Sequence, residues 1–225
     1  PALRVGGQTY EIGTVPGRIV SKGVADATDA RIYRVRMDYE TGDLRQDASE
    51  MLVKGLSDVT DADVADLRTQ YEYDWMNWPA AWGAPYYDVD GNGSYDPNVD
   101  QPSFRNANCV ETPDVCANNA DQIACFVIND LDAGAATSLY GSPPIGMEIQ
   151  VTMWAYARTD ALGDVIFKKF RFSYEGTETT PDDAVIEDMY VSQWSDPDLG
   201  DFGNDFAGSD VDLSLGYVYN LSLIH

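Results

Sequence analysis

The rhythm of apolar and polar positions changes along the chain. Residues 1–30 are rich in Gly, Thr and Asp with short apolar pieces, and predict irregular structure. Residues 31–39, Arg-Ile-Tyr-Arg-Val-Arg-Met-Asp-Tyr, alternate strictly and predict a half-exposed strand. The rhythm then turns helical. A short helix is expected over 43–52, and a better one after Thr60, where Asp63 three residues on completes a capping-box pattern. Val64, Leu67, Tyr71 and Trp75 follow at helical spacing, and Pro79 stops the run. The aromatics Tyr71, Tyr73, Trp75, Trp78, Trp82, Tyr86 and Tyr87 could form a sugar platform. Their core-like spacing favours a set that docks this helix on the rest of the chain.

From Gln122 onward the pattern is that of strands. Segments 123–129, 147–157, 165–174, 186–193 and 213–220 carry β-branched or aromatic residues, separated by turn clusters such as Gly-Ser-Pro-Pro at 141–144. The expected fold is mainly β, an antiparallel β-sandwich with a small helical N-terminal element. The expected division is an N-terminal region over 1–83, a calcium loop and sandwich over 84–220, and a separate tail over 221–225. No repeat or low-complexity linker stands out.

Charge narrows the function classes. Of 225 residues, 38 are Asp or Glu and 14 are Lys or Arg, a net charge of -24. Phosphate neutralisation is unavailable to such a chain, so nucleic acid is not an expected partner, nor is an anionic membrane surface. Mutual repulsion would be relieved by bound divalent cations or by salt. No stretch approaches ~18 apolar residues, so no membrane insertion is expected. The chain does not begin with Met, so the lack of a signal peptide is uninformative.

The most specific chemistry lies at 88–100, Asp-Val-Asp-Gly-Asn-Gly-Ser-Tyr-Asp-Pro-Asn-Val-Asp. A hard cation needs several oxygens on a tightly curved segment. Asp88, Asp90, Asn92 and Asp96 fall at positions 1, 3, 5 and 9 of a calcium loop, Gly93 at the sharp turn, and Ser94 where a carbonyl ligates. Position 12 departs from the pattern: Val99 stands where an EF-hand has a bidentate Glu, and Asp100 is the nearest substitute. Pro97 argues against a following helix. The loop resembles those of dockerin and thrombospondin-type repeats. The competing reading is an Asx-rich turn without metal.

A second acidic stretch, 195–212, gathers Asp196, Asp198, Asp201, Asp205 and Asp210 between glycines. Carboxylates so crowded repel unless a cation or solvent intervenes. A second Ca²⁺ site is expected there, with Asp130 or Asp132 as further ligands; the alternatives are a solvated loop, or a glycosidase pair set roughly 5–9.5 Å apart. His225 is the only His, which removes most His-dependent nucleophile and metal arrangements. Cys109 and Cys116 bracket a polar segment and are expected to form a disulfide, with zinc the weaker reading. Cys125, in an apolar run, reads as a buried small hydrophobe.

The stretches Ala-Pro-Tyr-Tyr-Asp-Val-Asp-Gly-Asn-Gly (84–93), Pro-Ile-Gly-Met-Glu-Ile-Gln-Val-Thr (144–152), Leu-Gly-Asp-Val-Ile-Phe (162–167), Asp-Met-Tyr-Val-Ser-Gln-Trp-Ser-Asp-Pro-Asp-Leu-Gly (188–200) and Leu-Gly-Tyr-Val-Tyr-Asn (215–220) together resemble a region of large, uncharacterised secreted proteins of Bacteroidota-like bacteria. Those proteins often end in a type IX secretion sorting domain. The resemblance implies export, a secreted or cell-surface location and a multidomain parent, and it assigns no activity. Relatives often have an aromatic residue at the position of Cys125 and a Cys at that of Ser209, so no disulfide pattern carries over. The segment Leu-Ser-Leu-Ile-His at 221–225 resembles the start of a translated sequencing adapter; the alternative is one more short strand.

The expected function is a calcium-stabilised structural or binding module that serves other domains of a larger parent chain. The alternatives are a carbohydrate-binding module with a glycan partner, attached to a glycan-degrading enzyme, and a carboxylate-dependent hydrolase.

Overall fold

The computed structural model describes residues 3–5, 8–10, 13–26, 28, 30–103, 120–192, 199 and 202–220. Among the described residues it is built mainly of antiparallel strands with three α-helices. The chain divides into two compact units, Pro1–Ala184 and Val185–His225. The boundary read from sequence at 83/84 falls inside the first unit.

The first unit opens with β1 (Leu3–Val5) and β2 (Gln8–Tyr10), then β3 (Val15–Pro16), β4 (Ile19–Ser21), β5 (Val24–Ala25) and β6 (Tyr33–Arg36). Helices α1 (Arg45–Leu52) and α2 (Asp61–Met76) follow. Next come β7 (Tyr86–Tyr87), β8 (Gln101–Pro102), β9 (Gln122–Asn129), α3 (Ala133–Tyr140), β10 (Met147–Ala155) and β11 (Phe167–Tyr174). The main sheet has five strands. It runs β11-β10-β9-β3, and β6 also pairs with β9. Every pairing is antiparallel, with Cys125 opposite Thr152 and Tyr33, and Gln150 opposite Arg171.

One face of this sheet is covered. Tyr33 and Val35 of β6 and Ile123 and Cys125 of β9 pack with Trp78 and Ala84. Strand alternation places these side chains on one face. A second cluster joins Leu44 and Ala48 to Val59, Leu67 and Tyr71, fixing α1 on α2. Of the residues that predicted α2, Leu67 and Tyr71 are buried, while Val64 and Trp75 pack at the edge of that cluster. The aromatics therefore serve largely as docking groups, with Tyr73 half exposed. Thr60 caps α2 as its sequence predicts: its hydroxyl accepts from the Asp63 amide, and the Asp63 carboxylate accepts from the Thr60 amide. These bonds and Lys54 hold the Asp63 carboxyl down at about 2, the Lys54 contact contributing most.

The opposite face carries Phe126 and Ile128, Ile149 and Val151, and Phe170 and Phe172, by the same alternation. Phe170 and Phe172 are exposed and stack on each other.

The second unit holds the hairpin of β12 (Asp205–Asp210) and β13 (Leu215–Asn220), with Phe206 opposite Tyr219. One predicted strand does not form: residues 185–192 are irregular, with Val185, Tyr190 and Val191 exposed. Nothing pairs with this stretch among the described residues, and β-propensity alone does not hold a strand.

Candidate metal centre

The 88–100 loop is the connection of a β-hairpin. Strands β7 and β8 close its base, Tyr86 opposite Pro102 and Tyr87 opposite Gln101. The loop runs directly into β8 at Gln101–Pro102, where an EF-hand loop would enter its second helix. Gly91 and Gly93 adopt left-handed backbone conformations, φ 71° and 77°. A Cβ would meet nothing within 4 Å at either, so backbone conformation rather than space demands glycine. The loop is anchored to α2: Trp75 Nε1 donates to the Pro97 carbonyl (3.0 Å), and the Tyr95 hydroxyl donates to the Trp75 carbonyl (2.7 Å).

The curl brings Asp88, Asp90 and Asp100 together, with one carboxylate oxygen of each within 4.8 Å of the others, a group that could hold a metal ion. Asp90 is exposed, Asp88 half-buried, and Asp100 only 1% exposed. Asp100 accepts from the amides of Val89 (2.9 Å) and Asp96 (2.7 Å), tying the two ends of the loop. Asp88 accepts from the amides of Gly91, Asn92 and Gly93. These bonds, Gly93 foremost, hold the Asp88 carboxyl below its usual range. Asn92 and Asp96 mainly stabilise local turns. Asn92 accepts from the Ser94 amide, and Asp96 from both nitrogens of Asn98, which lowers its pKa. Asp96, a sequence-predicted ligand, is thus not one of the converging carboxylates, while Asp100 is.

The second acidic stretch is only partly within the described residues. Asp196, Asp198 and Asp201 lie outside them. Asp205 Oδ2 accepts from the Leu199 amide, and Asp205 Oδ1 and Asn204 Oδ1 are buried acceptors without a donor among the described residues. Ordered water or a cation would satisfy such a pair. Asp130 and Asp132, expected as further ligands, have other work. Asp130 accepts from the amides of Ile145, Gly146 and Met147, and Asp132 caps α3 through the Ala135 amide. The Asp-Ala-Gly-Ala start of α3 was a legible capping signal.

Cys125 is buried, its thiol facing Thr152 Oγ1, and burial pushes its pKa up to about 11. That is an inert packing role. Cys109 and Cys116 lie outside the described residues. No helix among the described residues is long and apolar enough to cross a membrane. No family model, curated protein or solved structure matches the chain.

Proposed function

We infer that the chain is a calcium-stabilised structural or binding module of a secreted or cell-surface bacterial protein, serving other domains of a larger parent. The observation that carries this reading is the convergence of Asp88, Asp90 and Asp100 on a glycine-turned loop whose base is closed by β7 and β8. Carboxylate oxygens are the ligands a hard divalent cation takes, and a flexible oxygen cage suits Ca²⁺ better than the strict octahedron of Mg²⁺. Asn92 and the Ser94 carbonyl complete the proposed ligand set. The net charge of -24 favours the same conclusion, since a bound cation offsets repulsion that the fold otherwise bears. A sandwich architecture is supported by the apolar second face of the main sheet, which carries Val151, Phe170 and Phe172.

Calorimetric titration tests the reading. Calcium should bind the wild type at about 10⁻⁴–10⁻³ M, as extracellular modules do. Asp90→Ala should lose one site. Identical heats for the two proteins would sink the assignment.

A further inference from the structure

We propose that the first unit carries a binding cleft for a neutral glycan, formed where β10 and β11 meet the turn Ala80–Trp82. The cleft measures about 330 Å³, within the ~300–1,000 Å³ of small-ligand sites. Its floor is one face of the sheet. The register sets Gln150 opposite Arg171 and Glu148 opposite Ser173, so alternation brings these four side chains to the same side. Trp82, Arg18 and Glu175 also line it.

The state of its arginines points to a ligand. Elsewhere Arg31, Arg36, Arg45 and Arg158 form ion pairs, and Arg68 donates to the carbonyls of Tyr39 and Gly42. Arg18 and Arg171 do neither among the described residues, nor does the Arg34 side chain outside the cleft, but only Arg18 has a buried guanidinium nitrogen left without a partner there. Arg18 lies over the Trp82 ring, 4.9 Å from its centroid, and its Nε is buried without a hydrogen-bond partner among the described residues. Asp26 feels the Arg18 charge only weakly, its carboxylate being held by Thr28. Leaving a charged donor desolvated and unpaired is costly, so a bound oxygen acceptor stabilises it. Gly83 leaves room for Arg171: a Cβ there would stand 2.5 Å from its Nη1 and 3.2 Å from Gln150 Oε1.

The mixture of groups selects the ligand class. Two guanidinium groups donate, while Glu148, Glu175 and Gln150 Oε1 accept. Glu148 already takes the Ile19 amide and Glu175 the Ser173 hydroxyl, and each carboxylate keeps further acceptor capacity. An anion would face both glutamates, and a cation both arginines. A polyol hydroxyl is donor and acceptor at once and uses both kinds of group. This site shares no residue with the metal loop and stands independently of it.

Affinity electrophoresis of the 225-residue chain tests the proposal. Native gels would contain hydroxyethylcellulose, galactomannan or xylan, with alginate as the acidic comparison. At least one neutral polysaccharide should retard the wild type. Arg171→Ala and Glu175→Gln should each weaken that retardation at least tenfold with unchanged circular dichroism. Lys168→Ala, on the other face of β11, should leave it intact. Retardation in alginate alone, in no gel, or equally in wild type and both cleft variants would overturn the proposal.

Discussion

Asp130 shows how much a single carboxylate holds in this fold. It is 8% exposed, and the amides of Ile145, Gly146 and Met147 all donate to it. Hydrogen bonds to a charged group are worth about 1.5–3 kcal/mol each, and the three are not independent. Asp130→Ala should therefore lose about 3 kcal/mol or more in urea unfolding; an unchanged midpoint would show that the turn holds itself. In the sequence Asp130 looks the same as a metal ligand, because a run of aspartates does not show which backbone amides will face it. Asp88 makes a different prediction. Amides of its own loop depress its pKa, and Asn98 does the same for Asp96. A depressed carboxyl contributes stability above its unfolded pKa and loses it as pH falls toward the folded one. Calcium affinity should also fall as its ligands protonate. Melting temperature in calcium should thus decline below about pH 4, and a profile flat to pH 3 would refute the role given to these groups.

At the scale of elements, the capping box offers the simplest test. Thr60→Ala removes the side-chain acceptor of the Asp63 amide and should cost about 1 kcal/mol, read from thermal melts. Helix α2 was legible because its cap, apolar stripe and Pro79 stop agree. The strands were legible in kind and less so in extent. Alternation over 31–39 yields only Tyr33–Arg36, because its partner strand begins at Gln122, opposite Arg36. Past that point the chain turns through Asp38–Gly42, closed by amides of Thr41 and Gly42 donating to the Asp38 carbonyl. Residues 186–193 read as well as any strand, yet the described part of them stays irregular. A strand exists through its neighbours, and the sequence of one segment does not announce whether another will pair with it. The convergence of carboxylates in the 88–100 loop was legible in part for the opposite reason: its acidic residues, its glycines and its turns are all local. The sequence already offered Asp100 as the substitute at the end of the loop; that Asp96 stays out of the converging group needed the structure.

For the whole molecule, charge and division into units set the behaviour. A ligand that binds only the folded state adds about 2.7 kcal/mol at a hundredfold excess over Kd. Melts in chelator and in millimolar calcium should therefore differ by several degrees. High salt should recover part of the loss by screening the acidic surface. Superimposable melts at low salt would argue that the loops are merely solvated. The stretch joining the two units offers a separate check. Glu187 lies in irregular backbone beside exposed Val185 and Tyr190. Cleavage on the carboxyl side of glutamate should release the first unit as a stable fragment, and resistance there would contradict the assigned exposure.

The loop's own hydrogen bonds govern how it would trade ions with its surroundings. An ionised carboxylate has about four lone-pair sites. In Asp88, three are committed to the amides of Gly91, Asn92 and Gly93; Asp90 and Asp100 each spend two. About five vacant sites then remain on the triad, against the 6–8 oxygens calcium prefers. Asn92 Oδ1 and the Ser94 carbonyl bring the proposed set to about seven, and water fills whatever of the shell remains. A partly hydrated ion can enter and leave without the loop opening, so occupancy would follow the calcium concentration outside within the time of a solvent exchange.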